Sequence, residues 1–115
     1  MNIQIFGTKK SQDTKKAERF FKERGIRFQS IDLLEKGFSR RELDSVIQST
    51  GLEALIDENA KNKEFIILLH HSPKEDIPGM LLEHPEAIRQ PVVRNGKKAS
   101  VGNCPEVWKK WVEEG

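Results

Sequence analysis

With 115 residues, the chain has room for one domain around a single core, which we expect to span residues 1–115. A formal net charge of +2 excludes a polycation that wraps nucleic acid, so we expect no direct nucleic-acid partner and only a weak affinity for anions. The single cysteine, Cys104, excludes an internal disulfide, and no leader or membrane span is visible, so we expect a cytoplasmic monomer with no membrane partner.

The first third of the chain predicts a βαβ unit. A β-branched run over Asn2–Phe6 indicates a strand, apolar residues at helical spacing indicate a helix over Asp13–Arg24, and alternation over Ile26–Leu33 indicates a second strand. Because a helix crosses between them, the two strands should be parallel.

The middle of the chain predicts helices. Ser39–Glu42 fits a capping box that starts a helix, and Gly51 ends it. Two short helices are expected within Leu52–Leu69, although Phe65–Leu69 is a solid apolar run that periodicity does not assign. A further short helix is expected over Met80–Glu83.

The end of the chain predicts a hairpin and a last helix. Asn95-Gly96 tolerates the positive φ angles of a tight turn between the two strands that follow Pro91, and Cys104-Pro105 opens the helix. The order βαβ, helices, ββα predicts a thioredoxin-like α/β fold, with a mixed four-stranded sheet flanked by helices and a helical insertion. We expect the hairpin to lie beside the first strand.

Three stretches resemble the arsenate reductase-like family, which includes ArsC and Spx. They are IFGTKKSQDTKKAERFFKERGI near the start, GLEALID in the middle, and HPEAIRQPVVRNGKKASVG near the end. The resemblance covers nearly the whole chain. It implies a protein of the thiol–disulfide oxidoreductase type with glutathione as a co-substrate, no bound cofactor, and a cis peptide at Gln90-Pro91.

The resemblance places the family's nucleophilic cysteine at Ser11 and the second cysteine of Spx-like members at Thr14. A helix N-terminus beside Lys9 and Lys10 would lower the pKa of a cysteine from about 8.5. A serine hydroxyl gains little from that environment and forms no mixed disulfide, so we expect no arsenate reduction.

The resemblance also implies a set of residues that bind the oxyanion, in which this chain departs from the family. The family's arginine in the insertion aligns at or near Asn59, and its arginine before the strand-three proline aligns with Gln90, with Arg89 one residue earlier. Together with Lys9, Lys10 and Pro91, these residues form the predicted substrate or anion site.

Two interpretations of Ser11 stay open. The serine belongs to a lineage that lost redox chemistry, or it was introduced in place of a cysteine, in which case the native protein would be a thiol-dependent oxidoreductase. Asn59 and Gln90 favour the first interpretation, because one introduced change would not explain three departures.

Two further classes of function compete with an atypical ArsC-like protein. A Spx-like regulator would bind the C-terminal domain of the RNA polymerase α subunit through the surface around the loop, and Gly51 fits by position a glycine of that interface. A third class is a structural relative that binds a small oxyanion.

The remaining polar candidates are weaker. His70, His71 and His84 have no supporting ligand spacing, so we expect no metal site. Cys104, at a helix start, is either a thiol of lowered pKa or a capping or packing residue.

Overall fold

The computed structural model describes residues 1–115 and contains a four-stranded sheet and five α-helices. The elements are β1 Ile3–Gly7, α1 Gln12–Glu23, β2 Phe28–Asp32, α2 Arg40–Thr50, α3 Lys63–His70, α4 Ile77–Glu83, β3 Val92–Asn95, β4 Lys98–Val101 and α5 Pro105–Glu114. Single 3₁₀ turns at Glu53–Leu55 and Pro85–Ala87 precede α3 and β3.

The sheet has the mixed topology that the sequence predicts. Its strand order is β2-β1-β3-β4, with β1 and β2 parallel and the other two pairs antiparallel. In the central pair, Ile3 lies opposite Asn95 and Phe6 opposite Val92. The Gln90-Pro91 peptide is cis, as expected. The fold is therefore thioredoxin-like α/β with a helical insertion.

The local signals set most helix ends. The capping box is present, because Ser39 Oγ accepts from the Glu42 amide at 3.1 Å and the Glu42 carboxylate accepts from the Ser39 amide at 2.9 Å. The apolar run that periodicity left unassigned lies in α3, which Asn62 caps by accepting from the Phe65 amide at 3.1 Å. Two short helices were predicted between residues 52 and 69. The second is α3, but the first prediction was wrong, because the chain forms only the 3₁₀ turn Glu53–Leu55 there.

The two faces of the sheet carry separate apolar clusters. Strand alternation turns Ile3 and Ile5 toward α1 and α5, where they join Phe21 and Trp108 in a cluster of 7 buried residues. Phe6 turns the other way, into a cluster of 16 buried residues formed with the insertion helices. The loop after β1 therefore leaves the sheet between two packed layers and next to the start of β3.

No helix of the chain combines the length and the apolar character needed to cross a bilayer.

Candidate functional site

The loop between β1 and α1 ends at Ser11, which caps the helix. The Ser11 hydroxyl oxygen accepts a hydrogen bond from the Thr14 amide at 3.1 Å, and its backbone is extended, with φ −79° and ψ 118°. An N-cap side chain in this geometry satisfies an amide that the helix leaves unpaired. At the position where the resemblance places a nucleophile, the oxygen thus makes a structural hydrogen bond.

Thr14 lies inside the junction between α1 and β1. Its side chain is buried and packs against Gly7, where a Cβ atom would lie 2.2 Å from Thr14 Oγ1 and 2.5 Å from Thr14 Cγ2. Only glycine at position 7 therefore lets the first turn of α1 approach the strand this closely. A residue at position 14 faces the packed junction and not open solvent.

Gln90, the residue before the cis proline, reaches the loop with its side chain. Its Oε1 atom accepts from the Thr8 amide at 2.7 Å and from the Thr8 hydroxyl at 3.0 Å. The Thr14 hydroxyl donates to the same oxygen at 3.5 Å. The structure thus brings Ser11, Thr14, Gln90 and Pro91 to one end of the sheet.

Thr8 is the site residue that the sequence analysis missed. The β1–β3 register provides the signal, because Phe6 pairs with Val92 and two more antiparallel steps place Thr8 opposite Gln90. The hydrogen-bonded partners are 82 residues apart, so no local pattern marks the contact.

Arg89 and Asn59, which also belong to the predicted oxyanion set, make no hydrogen bond to the loop. The Arg89 side chain lies at the turn after β4, where its Cζ, Nε and Nη2 atoms are each 3.1 Å from the place that a Cβ on Gly102 would occupy. Asn59 is exposed in a turn. Its backbone amide donates to Asp57 Oδ1 at 3.0 Å, and its side chain makes no hydrogen bond. No pair of fixed cationic donors therefore faces Ser11.

Lys9 and Lys10 are exposed on the loop. Neither lysine has a carboxylate within ion-pair distance. Their positive charge is therefore available at the N-terminal end of α1, where the helix dipole also favours an anion.

A cavity of about 280 Å³ adjoins the loop on the side of β2. Thr8, Lys9 and Thr14 line one part, and Glu18, Ser30 and Asp32 line another. The Ser30 hydroxyl donates to the Glu18 carboxylate across this cavity. Ser11, Lys10 and Gln90 do not line it, so the cavity is separate from the predicted nucleophile position.

Cys104, the only thiol, lies at the start of α5. Its side chain makes no capping hydrogen bond, and its Sγ donates to the Val101 carbonyl at 3.2 Å. Burial raises the pKa of the Cys104 thiol, and the positive charge of Arg89 opposes that effect without cancelling it. The alternative of a lowered pKa was wrong, because the thiol packs against the apolar cluster of α1 and α5 and does not face the helix amides.

The histidines form local contacts. His70 Nε2 lies 2.9 Å from Glu58, His84 Nδ1 lies 3.1 Å from Glu86, and His71 Nδ1 lies 2.9 Å from the Ile67 carbonyl. No three histidine, cysteine or acidic side chains are placed to hold a metal ion.

Comparison with known proteins gives a consistent result. The model of the ArsC family matches residues 6–111. The chain is 28% identical over 105 residues to the global transcriptional regulator Spx 2 of Oceanobacillus iheyensis, covering 89% of this chain and 77% of that protein.

Two solved structures have the same fold. An arsenate reductase from Vibrio cholerae superposes with a TM-score of 0.82 at 24% identity, covering 96% of this chain and 97% of that one. A Bacteroides fragilis protein described as related to the ArsC family superposes with a TM-score of 0.83 at 19% identity, with coverage of 96% and 97%. The family match extends over both the β1–α1 loop and the cis proline, and the chain belongs to the ArsC family.

Proposed function

We propose that this chain is an atypical ArsC-family protein that keeps the scaffold of a thiol–disulfide oxidoreductase but does not reduce arsenate with serine at position 11. The observation that carries the proposal is the hydrogen bond from the Thr14 amide to Ser11 Oγ. A serine becomes a nucleophile only when a base takes its proton, and no histidine or carboxylate hydrogen-bonds to this hydroxyl. A serine hydroxyl also cannot form the sulfenic acid or the mixed disulfide through which a cysteine passes in a thiol redox cycle.

The surrounding donors support the same proposal. Bidentate guanidinium groups are the strong, fixed donors for an oxyanion, but Gln90 and Asn59 stand where the family resemblance places arginines. The Gln90 oxygen accepts hydrogen bonds and offers no positive charge to a substrate. Glutathione remains a proposed co-substrate only for a form of the protein that has cysteine at position 11.

The test is an activity assay on three proteins: the chain itself, Ser11→Cys and Cys104→Ala. We expect neither arsenate reduction nor exchange with glutathione disulfide from the chain or from Cys104→Ala. Turnover with glutathione and glutaredoxin that is present in the chain and lost in Cys104→Ala would move the chemistry to the start of α5. Ser11→Cys should attack glutathione disulfide to form a mixed disulfide, with release of one glutathione, and should still reduce arsenate poorly.

A second candidate is a Spx-like cytoplasmic regulator that binds the RNA polymerase α subunit. The similarity to Spx 2 favours it, since that relative is described as a global transcriptional regulator. Gly51, which ends α2 with a φ of +87°, is exposed at the position that the family resemblance assigns to the interface.

Calorimetry with the purified C-terminal domain of the α subunit tests this candidate. If the loop surface binds the domain, Lys10→Glu should weaken binding, while the matched charge reversal Lys110→Glu, at an exposed position of α5, should not. Absence of binding by the unmodified chain would remove the regulator from consideration.

A further inference from the structure

Three hydrogen-bond donors of the site converge on one atom. The Thr8 amide, the Thr8 hydroxyl and the Thr14 hydroxyl lie 2.7, 3.0 and 3.5 Å from Gln90 Oε1. Because an amide can only donate, the atom that it meets must be the carbonyl oxygen of the Gln90 side chain and not its nitrogen. The orientation of the carboxamide is thus fixed by its partners.

The backbone delivers Gln90 to this position. β1 and β3 are neighbours in the sheet, and their register, continued two residues beyond the last pair Phe6–Val92, places residue 90 opposite residue 8. The buried Pro91 that follows is held next to the end of the sheet, since its carbonyl accepts from the Gly102 amide, just after β4, at 2.9 Å. A side chain held next to the end of a strand in this way needs little ordering to stay in contact with the loop.

These three donors make no other hydrogen bond, so removal of the Gln90 side chain would leave them without an acceptor. Two hydroxyls and one amide around a single point form a cradle for an oxygen atom, and the exposed Lys9 and Lys10 place positive charge nearby. With Gln90 in place, a ligand oxygen must first displace an acceptor that is tethered to the chain and therefore always present. Displacement of a tethered acceptor is unfavourable, because the released glutamine must find other partners.

We propose that the Gln90 carboxamide is an internal ligand that closes the donor cradle of the β1–α1 loop, so that the loop accepts an external oxygen ligand only when Gln90 is withdrawn. Gln90 is thus a positioning residue that also decides which ligands the loop can take. The proposal goes beyond the function proposed above, since it does not depend on whether residue 11 carries oxygen or sulfur.

Nuclear magnetic resonance of the full chain provides the test. In Gln90→Ala, we expect the Thr8 amide to exchange with solvent roughly tenfold faster, since it loses its acceptor. Added sulfate should then give saturable shifts of the Thr8 and Thr14 amide signals. The unmodified chain should show neither effect, and Gln48→Ala, which removes an exposed glutamine from α2, should behave like the unmodified chain.

Two further variants keep the test decisive. Gln90→Asn shortens the side chain by one methylene while keeping the amide, so it should bind sulfate even if Gln90→Ala folds poorly. Gln90→Glu keeps the acceptor and adds negative charge, so it should protect the Thr8 amide and reject sulfate.

Equal sulfate shifts in the unmodified chain and Gln90→Ala would overturn the proposal, as would the absence of sulfate binding by both Gln90→Ala and Gln90→Asn. Arsenate turnover by the chain would refute the proposed function instead, and would leave these shifts unaffected. The two failures are therefore distinguishable.

Discussion

The starts of α1 and α5 make an instructive comparison, since each has a small polar residue at the N-cap position. Ser11 directs its side chain at the Thr14 amide, while Cys104 makes no capping hydrogen bond and donates its thiol to the Val101 carbonyl. A helix N-terminus lowers a thiol pKa only when the sulfur faces the free amides. The start of α1 therefore has the geometry that would stabilise a thiolate but carries a serine. The start of α5 carries a cysteine whose sulfur does not face the helix amides.

The contact that fixes the first of these sites should be the most sensitive to change. Gly7→Ala would force a methyl group against the Thr14 side chain, so we expect the free energy of unfolding to fall by about 1–3 kcal/mol. Denaturant unfolding measures the loss.

Gly79→Ala in α4 is the matched control. Apart from its chain neighbours and the backbone of its own helix, no atom lies within 4 Å of the added methyl group, so this change should leave stability unchanged or raise it by up to about 1 kcal/mol. Equal effects at positions 7 and 79 would contradict the close packing of α1 on β1.

Removal of the cap should have the next largest effect. Ser11→Ala leaves the Thr14 amide without its acceptor, and we expect a loss of about 1 kcal/mol in unfolding free energy. Ser11→Asp retains an acceptor and should recover most of the loss, whereas Cys104→Ala should cost less than Ser11→Ala because no cap is removed. If Ser11→Ala were neutral, the hydroxyl would have no structural role.

The smallest effect concerns the thiol of Cys104. Burial raises the pKa of this thiol, so the folded state favours its neutral form. The contribution of the thiol to the free energy of unfolding is therefore fully present at neutral pH and is lost as the pH rises and the thiol is deprotonated. The rate of alkylation by iodoacetamide in the folded chain should therefore rise at higher pH than for a small free thiol. If the pH at which the rate reaches half its maximum were equal to or lower than that of the free thiol, the burial argument would be contradicted.

Local signals in the sequence predict much of the fold. The Ser39 capping box, the Asn95-Gly96 hairpin signal and the apolar spacing of α1 each depend on residues within a few positions of one another, and the structure contains the box, the hairpin and the helix. The turn itself lies one residue later than predicted, because Asn95 still pairs with Lys98 in the hairpin and only Gly96 has a positive φ, of 62°. The run Phe65–Leu69 could not be assigned because a continuous apolar stretch has no period. The residue that indicates a helix is the N-cap Asn62, which lies before the run.

The candidate site was less predictable, because its key contacts join distant parts of the chain. Gln90 could be identified as a departure from the family, but its role as an acceptor depends on the strand register that brings it to Thr8. The orientation of Cys104 was likewise open, because proline at the next position starts a helix whether or not the preceding side chain caps it.

The central claim is that the β1–α1 loop keeps the helix N-terminus and the two lysines that would stabilise a thiolate, with the Ser11 hydroxyl in place of the sulfur. The pH dependence of iodoacetamide alkylation tests this claim directly in Ser11→Cys combined with Cys104→Ala, which leaves one thiol at the start of α1. The Thr14 amide, the helix dipole, Lys9 and Lys10 should stabilise the thiolate, with Asp13 opposing slightly, so the pKa of the new thiol should fall below that of a free cysteine. An alkylation curve that coincides with that of a free thiol would contradict the claim.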